Sequence, residues 1–83
     1  MIDRDRNAEL RWRLRRGMRE LDLILGRFHE TQYARLPDPD RRLFVELLNC
    51  EDDDLWVWLT GRGEPARDDL ADVVRRIRRH AGL

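Results

Sequence analysis

Arg16-Gly17-Met18-Arg19-Glu20-Leu21-Asp22 sets a glycine where a helical pattern would otherwise run on, and this break decides how the chain divides. Upstream, Leu10 and Leu14 stand four residues apart. A short helix over about residues 8–15 brings them onto one face, with Trp12 on another. Downstream, Met18, Leu21, Leu25 and Phe28 recur at steps of three and four, while Arg19, Asp22, Arg27 and Glu30 lie off that stripe. The spacing predicts a second helix over about residues 18–34. Gly17 reads as its N-cap with Glu20 at the third helical position, from which a carboxylate can reach back to the cap amide. A glycine cap supplies no side-chain oxygen, so the amides at that helix start stay available to a partner.

Three further helices follow from the same period. Asp38 reads as an N-cap with Pro39 at the first helical position, and Leu43, Phe44, Leu47 and Leu48 form the inner stripe beyond them. Asp52, Asp53 and Asp54 open a fourth helix, their charges facing the positive end of its dipole. Leu55, Trp58 and Leu59 face inward, and Gly61 stops it. After Pro65 a last helix carries Leu70, Val73, Val74 and Ile77 inside, with Arg75, Arg76, Arg78 and Arg79 near its negative end. No stretch alternates as a strand would. The expected fold is all-α, a compact bundle of five short helices in one domain over residues 1–83, with its core over about residues 8–80. Gly26, inside the second helix, is expected to mark a close helix contact or a slight bend.

Composition narrows the function classes. The chain is 41% hydrophobic and 41% charged, which suits amphipathic helices with solvated faces. No apolar run approaches the roughly 20 residues that span a bilayer, so no membrane insertion is expected. The opening Met1-Ile2-Asp3-Arg4-Asp5-Arg6 mixes both signs of charge and fits neither a secretory signal nor a transit peptide; the expected location is the cytoplasm. All 17 basic residues are arginines, balanced by 17 acidic ones, so positive charge is presented as planar forks suited to bidentate contacts. The terminal arginines share their helix with Asp68, Asp69 and Asp72 and have no interleaved aromatics, which argues against nucleic acid as the partner.

Cys50 is the only cysteine and lies beside an apolar run, so it reads as a half-buried, inert thiol. With His29 and His80 it forms no zinc spacing, and no metal site is expected. The aspartate triplet points in divergent directions, so capping explains it better than a hard cation does. Trp56 lies about 200° around the helix from Trp58, so it is expected to be partly exposed. Arg16, Gly17 and Glu20 are different: an arginine fork, open amides and a carboxylate make a compact polar grip, with Met18 as a soft contact beside it. No paired nucleophile and base accompany them, so this chain is not expected to be an enzyme.

Two motifs then carry a resemblance. Arg-Gly-Met-Arg-Glu-Leu-Asp stands at residues 16–22. A later Leu-Leu, acidic turn and Leu-x-x-Trp-Leu pattern stands at Leu47-Leu48, Glu51 to Asp54, Leu55, Trp58 and Leu59. Together they resemble the small FAD assembly factors of succinate dehydrogenase, called SdhE in bacteria, over about residues 8–80. The resemblance implies a five-helix fold. It also implies a helper that binds the flavoprotein subunit of succinate dehydrogenase, and often of fumarate reductase, and promotes covalent attachment of FAD to a histidine of that subunit. By the same resemblance Arg16, Gly17 and Glu20 form the partner-binding surface, with Met18 and Asp22 as neighbours. FAD is then the partner's cofactor, with none held stably by this chain, and a monomer is expected. An antitoxin-like or regulatory protein-binding module using the same surface is the alternative.

Overall fold

The computed structural model describes residues 18–83, whose apolar stripes wind into four α-helices. Helix α1 spans Arg19–Gln32 and runs into a 3-10 turn at Tyr33–Arg35; α2 spans Asp38–Leu48, α3 Asp52–Leu59 and α4 Asp68–Ala81. Among the described residues there is no strand, so the all-α reading holds. The helix expected over residues 8–15, with Trp12, lies outside the described residues, and the described bundle therefore has four helices rather than five.

Each helix buries the stripe that its period demands. Leu21, Leu25 and Phe28 of α1 are fully buried, as are Phe44 and Leu47 of α2, Leu55 and Leu59 of α3, and Ile77 of α4. Helix α4 is the common wall, touching α1, α2 and α3, while α1 also meets α3. Rings fill the space between α1 and its neighbours. Phe28 and Phe44 lie 5.5 Å apart, Tyr33 sits 5.6 Å from Phe44, and the His80 ring stands edge-on to Phe28 at 5.7 Å. Burying a Leu or Phe side chain is worth about 1.5–3 kcal/mol, so these contacts dominate the stability of so small a fold.

Helix ends depart from the sequence reading by one residue. The N-cap of α1 is Met18 in extended conformation, not Gly17: the Asp22 amide donates to the Met18 carbonyl at 3.1 Å. Glu20 is therefore the second helical residue, and no side chain hydrogen-bonds the cap. Likewise Pro37, not Asp38, caps α2, with the Arg41 amide on the Pro37 carbonyl at 3.0 Å. Pro39 still falls in the first turn, where a missing N–H costs nothing. Asp38 turns its carboxylate to the Arg41 guanidinium instead of to the cap.

The stop at Gly61 is as read. Its φ of +78° suits glycine, and the Arg62 and Gly61 amides donate to the Val57 and Trp58 carbonyls at 2.9 and 3.2 Å, a Schellman closure of α3. A Cβ at Gly61 would also stand 2.7 Å from Arg78 Nη2, so the arginine packs where only glycine leaves room. Trp58 is corrected. It is half-buried, like Trp56, both rings lying against the core while Leu55 and Leu59 fill it. At Gly26 α1 continues without interruption, and among the described residues no atom lies within 4 Å of where its Cβ would stand; a contact there with the first expected helix would fall outside the described residues.

Charged side chains fasten the outside. Arg67 reaches Glu46 at 2.6 Å and Asp69 at 2.8 Å, tying the start of α4 to α2. Its hydrogen bond holds the Asp69 carboxyl below the usual carboxylate range, and both carboxylates push the guanidinium above its own. Arg75 does the same between Glu64 and Asp72, at 2.9 and 2.8 Å, lowering Glu64 chiefly through the hydrogen bond. Arg76 crosses to Asp40 of α2 at 3.2 Å. The Thr31 hydroxyl donates to the Arg27 carbonyl at 2.7 Å and so accepts the Nε2–H of His80 at 2.9 Å, joining the ends of α1 and α4.

Candidate functional site

Leu21 has no exposed surface, so it pins the first turn of α1 to the core and fixes what its neighbours present. Met18 is half-buried and packs on the core rim; Arg19 and Glu20 are exposed; Asp22 is half-buried. Three of the five expected site residues, Met18, Glu20 and Asp22, thus gather on one helical turn. Arg16 and Gly17 lie outside the described residues.

The chemistry of this turn is that of a helix start without a side-chain cap. The amides of Arg19, Glu20 and Leu21 have no carbonyl four residues back within the helix, and among the described residues no side chain caps them. Glu20 and Asp22 place negative charge at the positive end of the dipole. Among the described residues the Glu20 carboxylate has neither an ion pair nor a hydrogen bond, so it can accept one from a partner at no internal cost.

Sequence reasoning passed over Leu23. It is 56% exposed, and the helical period explains why: Leu23 sits about 200° from Leu21 and 300° from Glu20 in the sense of the winding, on the solvent side. An apolar residue off the apolar stripe was the available signal. Arg27 and Glu30 flank it on the same outer face, both exposed, and among the described residues neither has a side-chain ion pair.

Other chemistry is sparse. Among the described residues no group of histidine, cysteine and carboxylate side chains could hold a metal ion, and no helix is long and apolar enough to cross a membrane. Cys50 is half-buried, its Sγ 3.9 Å from the Glu46 carbonyl. A dent between α2 and α4, lined by Asp40, Leu43, Val73 and Arg76 among others, holds about 110 Å³. Small-molecule sites run to about 300–1,000 Å³, so it is too small for a dinucleotide. A wider one of about 390 Å³ beside Cys50 is lined by Glu51, Asp52 and Asp53, whose charges repel a pyrophosphate.

Comparison with known proteins decides between a generic helical module and a specific one. Residues 8–81 match the family described as the flavinator of succinate dehydrogenase. This chain belongs to that family. Among its relatives is the FAD assembly factor SdhE of Photorhabdus laumondii, 42% identical over 76 residues that cover 92% of this chain and 86% of the relative. The protein of the same name from a Serratia species is 43% identical over 76 residues, with the same coverage. That from Yersinia pseudotuberculosis is 42% identical over 73 residues, 88% of this chain and 83% of the relative. These relatives are thus named for FAD assembly, and the family match runs through the first turn of α1 and all four described helices.

Proposed function

We propose that this chain is an assembly factor that binds the flavoprotein subunit of succinate dehydrogenase and promotes covalent attachment of FAD to it. The family match over residues 8–81 carries this reading. The site supports it in kind: among the described residues its helix start has no side-chain cap and its Glu20 carboxylate no ion pair, which suits docking, and no nucleophile is paired with a base there. The helper therefore acts by alignment. It selects a conformation of the immature subunit in which the subunit's own histidine and the flavin stand in reacting geometry, which lowers the barrier without a catalytic group from the helper.

In this reading Arg16 makes a charge-assisted contact with the partner and Gly17 permits close approach of the two backbones. Glu20 accepts a hydrogen bond from the partner or holds the motif in shape, with Met18 and Asp22 shaping the edges of the contact. The FAD belongs to the partner throughout. In this reading the flavoprotein subunit of fumarate reductase is a second client. The helper works as a monomer in the cytoplasm. Co-expression of a succinate dehydrogenase flavoprotein subunit with and without this chain tests the reading through in-gel fluorescence of covalent flavin. A severalfold rise in fluorescence with the chain present is expected, and equal fluorescence in both samples refutes it.

A further inference from the structure

We infer that the contact with the flavoprotein extends beyond the first turn along the outer face of α1, where Leu23 is a knob that enters the partner and Gly26 a notch that receives it. This rests on the functional reading above and names more of its surface. Three observations converge on that face. Leu23 is 56% exposed on the solvent side of a helix whose inner face is fully buried. Gly26 is the least favourable residue for a helix interior other than proline, yet nothing inside the described fold requires it: its φ is not positive, and no atom lies within 4 Å of a Cβ placed there. A glycine that no described residue crowds, in a continuous helix, leaves room for something beyond them.

The third observation is continuity. Glu20, Leu23 and Gly26 follow one another at three-residue steps, about 4.5 Å of rise and about 60° around the axis each, so Leu23 lies between the carboxylate and the notch within about 9 Å of rise. Arg19, Arg27 and Glu30 border the same face, and among the described residues none has a side-chain ion pair that docking would have to break. The occupant is the flavoprotein subunit. It offers a backbone or small side chain to the Gly26 notch, an apolar pocket to Leu23, and an amide or cationic donor to Glu20. A knob beside a hole, rimmed by charge, is how a packed interface centre is built.

The test sets stability against binding. Gly26→Leu fills the notch with a strong helix former in open space, so its thermal midpoint is expected to equal or exceed that of the parent chain. Its affinity for the purified apo-flavoprotein subunit should fall by about tenfold or more, as overpacking an interface centre requires. Leu23→Ser should keep the midpoint and weaken binding by a similar factor. Arg79→Leu, an equally apolar change on the exposed side of α4, should leave binding unaltered. Parental affinity in both Gly26→Leu and Leu23→Ser, with Glu20→Ala still weakened, overturns this inference and leaves the functional reading standing. A parent chain that binds no flavoprotein subunit overturns both.

Discussion

Helices α1 and α4 are each fourteen residues long and each buries one face in the same core, yet α4 cross-links much of its outer charge to its neighbours and α1 does not. On α4, Asp69, Asp72, Arg75 and Arg76 are all engaged, with Arg67, Glu64 and Asp40 of neighbouring segments as cross-links. On the outer face of α1, Arg19, Glu20, Arg27 and Glu30 lack ion pairs among the described residues, and they surround an exposed leucine and a glycine that no described residue crowds. One surface is fastened to its own fold. The other carries no such cross-links among the described residues, and Glu20, which the proposed function assigns to docking, lies at its leading edge.

The sharpest way to break this distinction is to cut each side of α1. Phe28→Ala empties the junction of α1, α2 and α4 and is expected to cost about 3–5 kcal/mol in denaturant unfolding, enough to unfold much of so small a domain. Leu23→Ala, five residues away on the outer side, should stay within about 0.5 kcal/mol of the parent. Comparable losses from the two would mean that α1 has no free face.

Glycine-to-alanine changes at two positions sharpen the comparison further. Gly61→Ala forces a side chain into left-handed backbone and against the Arg78 guanidinium, and should lower stability by about 1–2 kcal/mol. Gly26→Ala should raise it by up to about 1 kcal/mol, since helix propensity improves and nothing is displaced. Thermal melts of the two variants should therefore shift in opposite directions; a downward shift for Gly26→Ala would place an internal contact at that residue.

Acid titration probes the fastened side, with the smallest effect. Arginine hydrogen bonds lower the folded-state values of Asp69 and Glu64, so their contribution is complete above the usual carboxylate value of about 4 and is lost as pH falls through the lowered values. A chain carrying Glu64→Gln and Asp69→Asn should start from a slightly lower midpoint at neutral pH and lose less of it on acidification. Identical acid limbs for the two chains would show that these exposed pairs contribute nothing.

The inner faces were legible because burial follows the helical period: Leu21, Leu25 and Phe28, then Phe44 and Leu47, then Leu70, Val73, Val74 and Ile77 fall inside as their spacing requires. Helix caps were less so. Met18 and Pro37 displace Gly17 and Asp38 as N-caps because the first intrahelical bond, not side-chain preference, sets where winding begins. Trp58 stops halfway in because Leu55 and Leu59 already fill the core below a short helix. The partners of Arg67, Arg75 and Arg76 come from other segments, which no local pattern reveals. At the candidate site the sequence placed Met18, Glu20 and Asp22 on one turn, but it could not tell that Glu20 has no ion pair among the described residues or that none of them crowds Gly26.

The account stands on the open end of α1 acting on a flavoprotein. Purified apo-subunit of succinate dehydrogenase, incubated with FAD and equal amounts of either the parent chain or Glu20→Ala, reads this most directly through covalently bound flavin after denaturation. The two helpers should show indistinguishable thermal midpoints, with flavin loading high for the parent and severalfold lower for the variant. Equal loading by both would contradict the account.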